Sequence, residues 1–165
     1  MIKNIEQLEA LISSTHKVMS IVSDKNFHSA SANVTSAMIA IHESWNLKYR
    51  VQNDGDNDKY DGGLGIHQME RPTFDTVVKY SEHYPVVAKA LGLENCKFED
   101  LEHSDFLSIV FCRLRLSMDE NPLPKPHNLE EVAKYCKSFW NTKDGKATWE
   151  KYYNDYNDYC IAKGL

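Results

Sequence analysis

The chain has 165 residues, 42% of them hydrophobic and 26% charged, enough apolar material for one ordinary core over residues 1–165 and too little for two full domains. Its formal charge of -5 leaves no basic stripe to neutralise phosphates, which argues against a nucleic-acid binder. No run reaches the ~20 apolar residues of a membrane span, and Met1–Glu9 lacks the apolar stretch of a secretory leader, so the expected place of synthesis and residence is the cytoplasm.

The periodicity is mainly helical. Ile5, Leu8, Leu11, Ile12, Thr15, Val18, Met19 and Val22 recur at spacings of three and four, which predicts an amphipathic helix over Ile5–Val22. Ser29 to Asn33 supplies N-cap candidates for a second helix over Val34–Trp45. From Asn46 to Gly65 the composition turns to Asn, Asp, Gly and Tyr, which predicts a loop or a small irregular β-hairpin. Pro72 opens a helix through about Tyr80, and Pro85 a shorter one to Leu91. Ser104 caps Asp105–Met118, whose Phe106, Leu107, Ile109, Val110, Phe111, Leu114 and Leu116 leave little polar surface; this is the expected central buried helix. The prolines between Asn121 and His127 demand an extended connection. Asn128 with Glu131 starts a helix through Phe139, and Thr148 or a neighbour starts the last one, through about Ala162.

Cys96, Cys112, Cys136 and Cys160 lie singly without Cys-x-x-Cys spacing, so buried free thiols are expected. His42-Glu43 begins like the zinc-protease motif His-Glu-x-x-His, but Asn46 stands where the second histidine belongs. Asp54, Asp56 and Asp58 have calcium-loop spacing, yet Lys59 replaces the turn glycine and Gly65 the bidentate glutamate, which favours a solvated acidic loop. The seven histidines form no paired helical spacing, so no metal and no cofactor is expected. His67 stands apart only because it neighbours Gln68 in a glycine-rich segment.

The chemistry-bearing pattern is Ala40-Ile41-His42-Glu43-Ser44-Trp45 followed by Gly62-Gly63-Leu64-Gly65-Ile66-His67-Gln68-Met69. A glutamate leaving an apolar helix is partly desolvated, which raises its pKa and keeps a proton on it near neutral pH. An ordinary solvated glutamate at a helix end is the plainer reading of Glu43 taken alone.

Together, Glu-Ser and Gly-Leu-Gly-Ile-x-Gln-Met resemble the motif pair of the lysozyme-like superfamily, particularly soluble lytic transglycosylases, goose-type lysozymes and related phage endolysins. The resemblance covers roughly residues 34–76, with looser support from Asn121-Pro122-Leu123-Pro124, Tyr135, Phe139-Trp140, Trp149, Tyr152 and Tyr153. It implies a lysozyme-like helical domain with a small loop or hairpin beside a cleft, Glu43 as the catalytic acid, and a cleft lined by Ser44, Tyr49, Gln52, Gly65 and Gln68. It also implies a tyrosine from a C-terminal helix near the acid, for which Tyr135 is the expected residue.

The implied activity is cleavage of the β-1,4 bond between N-acetylmuramic acid and N-acetylglucosamine in peptidoglycan, by a monomeric phage or prophage endolysin that reaches the wall after release from the host cytoplasm. A hydrolytic route needs a second carboxylate to activate water. Asp54, Asp56, Asp58, Asp61 and Glu70 are available, with Asp61 favoured because goose-type lysozymes carry an aspartate close before the comparable glycine-rich segment. In the transglycosylases the substrate's acetamido group assists and no second carboxylate is required. The competing class is a lysozyme-like domain retained without catalysis, as a virion structural or glycan-binding module.

Overall fold

The computed structural model describes residues 2, 4–52, 62–141 and 146–162, and the protein is mainly helical. Helix α1 spans Ile5–Val22, with Asn4 capping through its side chain, which accepts from the Gln7 N–H. Helix α2 spans Ala30–Glu43 and is capped by Ser29, so it starts earlier and stops sooner than the apolar periodicity suggests. The early start follows from the cap, since the Ser29 hydroxyl accepts from the Ala32 N–H.

Helices α3 (Arg71–Tyr80) and α4 (Tyr84–Leu91) each carry proline in the first turn, where a missing N–H costs nothing. A 3-10 turn at Phe98–Glu102 leads to α5 (Asp105–Leu116), capped by Ser104 as expected. Helix α6 (Leu129–Tyr135) runs into a π-helical turn at Cys136–Trp140, and α7 spans Trp149–Ala162.

Helix α5 organises the interior because it is apolar on almost every side. Its Ile109, Cys112 and Leu116 join Ile5, Leu8 and Ile12 of α1, Met38 to Ile41 of α2, Val132 of α6 and Tyr152 and Tyr156 of α7 in one buried cluster. Its Val110, Phe111 and Leu114 join Met19, Phe27, Phe74, Val77, Tyr84, Val87 and Phe98 in a second. The tyrosine-rich run of α7 resolves into a helical face, with Tyr152, Tyr156 and Tyr159 buried at spacings of four and three. All four cysteines are free; Cys112 and Cys136 are buried, whereas Cys96 and Cys160 are half-exposed.

Among the described residues there is no strand at the predicted hairpin, only isolated antiparallel bridges pairing Val51 with Leu64 and Leu64 with Met69. Asp54, Asp56, Asp58 and Asp61 lie outside the described residues. Before that segment the chain makes a left-handed turn, with φ of +50°, +58° and +66° at Trp45, Asn46 and Leu47. Ser44 holds this turn: its Oγ donates to the Ala40 carbonyl at 2.5 Å and accepts from the Leu47 N–H at 2.9 Å, and its carbonyl accepts from Lys48 and Tyr49.

A buried ion pair then clamps the end of the turn to the core. Arg50 Nε donates to Asp105 Oδ1 at 2.6 Å and Nη2 to Oδ2 at 3.1 Å, while the Ile2 N–H donates to the same Oδ2 at 2.6 Å. Burial pushes the Asp105 carboxyl up, but the guanidinium and the Ile2 N–H outweigh it and hold the group below its ordinary value.

Candidate functional site

Glu43 is the last residue of α2. Helix α2 is buried from Ala37 to Ile41, so its end can expose the next residue only where neighbouring elements leave room. Helix α7 supplies the nearest neighbour: Tyr152 donates its phenolic hydrogen to Glu43 Oε1 in a short hydrogen bond.

Asn141, which follows the π-helical turn, reaches both Glu43 and Tyr152 with its side chain. Its Oδ1 accepts from Lys137 Nζ at 3.0 Å, which leaves the amide nitrogen as the end that can donate toward the carboxylate. The π turn places this residue, since the Asn141 N–H bonds the Cys136 carbonyl five residues back.

The electrostatics of Glu43 are a contest with a clear outcome. Burial raises its pKa, the hydrogen bond from Tyr152, the nearby His42 and Asn141 lower it, and Glu70 raises it again. The net shift is upward, so desolvation wins over the donors. His42 packs against Tyr152, with ring centroids 3.8 Å apart, and its Nδ1 meets Asp155 Oδ2 at 2.6 Å. Lys151 closes the same carboxylate at 3.2 Å. The phenol that touches Glu43 is therefore held by packing against an imidazole that is itself held by Asp155.

The glycine-rich segment is anchored to both buried helices by His67. Its Nδ1 meets Ser108 Oγ of α5 at 2.9 Å, and its Nε2 lies 3.0 Å from Ser36 Oγ and 3.2 Å from the Ser36 carbonyl of α2. A carbonyl can only accept, so the network assigns the proton to Nε2 and makes Nδ1 the acceptor of the Ser108 hydroxyl. Burial pushes the His67 pKa down to about 3, and the ring stays neutral. His67 is thus a structural rivet without access to a ligand. Trp140 adds to the anchor by donating its indole N–H to the His67 carbonyl at 3.1 Å.

The expected cleft residues divide sharply. Ser44 is buried and its hydroxyl is consumed by the turn, so its role is to cap α2. Gly65 has φ +74° and packs against Ser108 and Leu101, so it too is required by the core. Gln68 also has a left-handed backbone, at φ +46°; its Nε2 donates to the Gly65 carbonyl at 2.7 Å, and its Oε1 is buried without a hydrogen-bond partner among the described residues. Gln52 bridges the chain across the predicted hairpin: its N–H donates to the Gly63 carbonyl at 3.0 Å and its Oε1 accepts from the Gly63 N–H at 3.2 Å. Tyr49 is exposed and stacks on Trp45.

Tyr152, not Tyr135, is the tyrosine hydrogen-bonded to Glu43. The Tyr135 ring stacks on Phe139, and burial together with the neighbouring Asp119 raises its pKa. Tyr152 takes the position that the sequence expectation gave to Tyr135. Its spacing was readable as helical, but nothing local marks which tyrosine of the run in α7 meets a residue 109 positions away. Asn141 was likewise missed, because its placement depends on the π turn. Asp61, the favoured second carboxylate, falls outside the described residues, whereas Glu70 is close enough to Glu43 to raise its pKa.

Among the described residues no group of histidine, cysteine, aspartate and glutamate side chains could hold a metal ion, and no helix is long and apolar enough to cross a membrane. In comparisons with known proteins, no family model, no curated protein and no solved structure matches the chain.

Proposed function

We propose that the protein is a lysozyme-like glycosidase that cleaves the β-1,4 bond between N-acetylmuramic acid and N-acetylglucosamine in peptidoglycan, with Glu43 as general acid. The observation that carries this reading is the largely desolvated Glu43 carboxyl at the end of α2, its pKa raised by burial and its orientation fixed by Tyr152. Burial favours the protonated form of such a group, and protonation of the leaving oxygen is the step that glycoside cleavage demands. The lysozyme-like motif pair around Glu43 and Gln68 supplies the substrate class. A phage or prophage endolysin acting on the wall after release, as a monomer, is the biological setting that the resemblance suggests.

Digestion of purified peptidoglycan followed by mass spectrometry tests the proposal. Reducing muramic-acid ends identify a hydrolase, and anhydro-muramic ends identify a transglycosylase. Glu43→Gln removes the transferable proton at nearly constant shape, so product formation should fall by ~10² to 10⁴. Wild-type turnover in that variant, or shortened peptide stems with intact glycan strands, would remove the assignment.

A further inference from the structure

The left-handed turn after α2 is costly in a specific way. Asparagine tolerates positive φ, so Asn46 is unremarkable there, but Trp45 and Leu47 each carry a Cβ penalty. Leu47 is repaid by burial, at 7% exposure. Trp45 is not: its side chain is 63% exposed, and its ring partners are Tyr49, itself 51% exposed, and the Lys48 ammonium. A residue that loses backbone free energy without gaining core packing points to a function for its side chain.

The geometry of the pair indicates what it would hold. The two rings stack with centroids 5.9 Å apart and planes 25° from parallel, so Tyr49 backs one side of the indole and holds it in place. Lys48 Nζ stands over the Trp45 ring, 5.9 Å from its centroid, and a flexible side chain there can swing to the rim as a cation and hydrogen-bond donor. Tyr49, Leu47, Lys48 and Val51 also line a cavity of about 480 Å³ that reaches His103. A flat aromatic face bordered by a polar donor suits a pyranose ring, which offers axial C–H groups on its faces and hydroxyl and acetamido groups on its rim. Trp45 is two residues beyond Glu43, within ~7 Å along the chain.

We propose that the 44–51 turn is a carbohydrate subsite in which the exposed Trp45 indole, backed by Tyr49, stacks on one N-acetylhexosamine unit of the glycan strand and Lys48 binds its polar rim. The inference rests on the glycan-cleaving reading for its ligand. Glu43→Gln provides a form that binds without turnover, and the probe is the soluble N-acetylglucosamine tetramer, followed by calorimetry and by the Trp45 indole N–H resonance.

The tetramer should shift that resonance, and Trp45→Ala or Tyr49→Ala in the Glu43→Gln background should weaken binding about tenfold, whereas Trp45→Phe should retain most of it. Trp45→Gly gives a second readout, because it relieves the left-handed strain: thermal stability should rise while tetramer affinity falls. Undiminished affinity in the alanine variants, an unmoved indole resonance, or no tetramer binding would overturn the subsite. So would Trp45-dependent binding confined to phosphatidylglycerol vesicles, which would make the pair a membrane contact. Failure of the wild-type protein to release glycan fragments from peptidoglycan would remove the catalytic reading alone, since the binding outcomes judge the subsite by themselves.

Discussion

Gly65→Ala should be among the most destabilising single substitutions in the glycine-rich segment, and the size of the effect follows from its surroundings. The residue has φ +74°, so an added methyl group first incurs the left-handed penalty of ~1 to 2 kcal/mol. The new Cβ would then lie 2.6 Å from Ser108 Oγ, 2.8 Å from Ser108 Cβ and 3.0 Å from the Leu101 carbonyl oxygen, so a neighbour must move. Ser108 cannot move freely, because its hydroxyl meets both the backbone N–H of His67, at 3.2 Å, and its Nδ1, at 2.9 Å. Displacing it leaves buried polar groups unpaired at ~1 to 3 kcal/mol. The sum, ~2 to 5 kcal/mol, corresponds to a fall in Tm of roughly 4 to 20 °C for a domain of this size. Gly92 is the internal control, with φ +68° and nothing within 4 Å of an added Cβ, so Gly92→Ala should lose only the conformational part. Thermal and urea unfolding of the two variants separates crowding from conformation. Equal losses in both would refute the packing argument for Gly65.

Two further outcomes concern protons. Tyr152 lowers the Glu43 pKa by donating to it, so Tyr152→Phe lets that pKa rise; because a general acid acts only while protonated, the alkaline limb of the activity profile should move to higher pH. A limb that stays or moves down would uncouple the pair. Burial holds His16 and His67 down to about 3, below the ordinary 6.5, so the stability they contribute is complete above pH ~6.5 and lost as pH falls toward 3. The urea midpoint should therefore be clearly lower at pH 4.5 than at pH 7, and a flat profile would place one or both imidazoles in contact with water.

Most of the helical framework is legible because periodicity, caps and prolines are local signals. Ser104 and Asn128 cap α5 and α6 as their positions imply, and Ile5–Val22 coincides with its apolar stripe. The start of α2 was missed because Ser29 caps a first turn, Ala30 to Asn33, that carries little hydrophobic pattern. The site was legible only at Glu43 and its glycine-rich companion. Ser44 and Gly65 carry motif positions for a structural reason, the first closing the turn and the second admitting α5, and a motif cannot tell scaffold from ligand contact. Tyr152, Asn141 and the Trp45–Tyr49 pair depend on contacts or torsions with no local signature. The left-handed turn in particular contains no glycine to announce it.

Under the proposed role of Glu43 as general acid, its surroundings bear on the two demands that proton donation makes on an acid. Before transfer the carboxyl must be neutral, and burial at the end of α2 favours that form. After transfer it must be tolerated as a carboxylate beside a developing positive sugar, and a merely apolar pocket would oppose that state. Tyr152 and Asn141 act on the ionised form, since both lower the Glu43 pKa. In the proposed reaction their donors would therefore stabilise the carboxylate left by proton transfer, without recruiting water. Burial and the donors act on the Glu43 pKa in opposite directions, with burial the larger. On that proposed reading the phenol must be kept in place, and the His42–Asp155 pair bears on this: it packs an imidazole 3.8 Å from the Tyr152 ring that donates to Glu43.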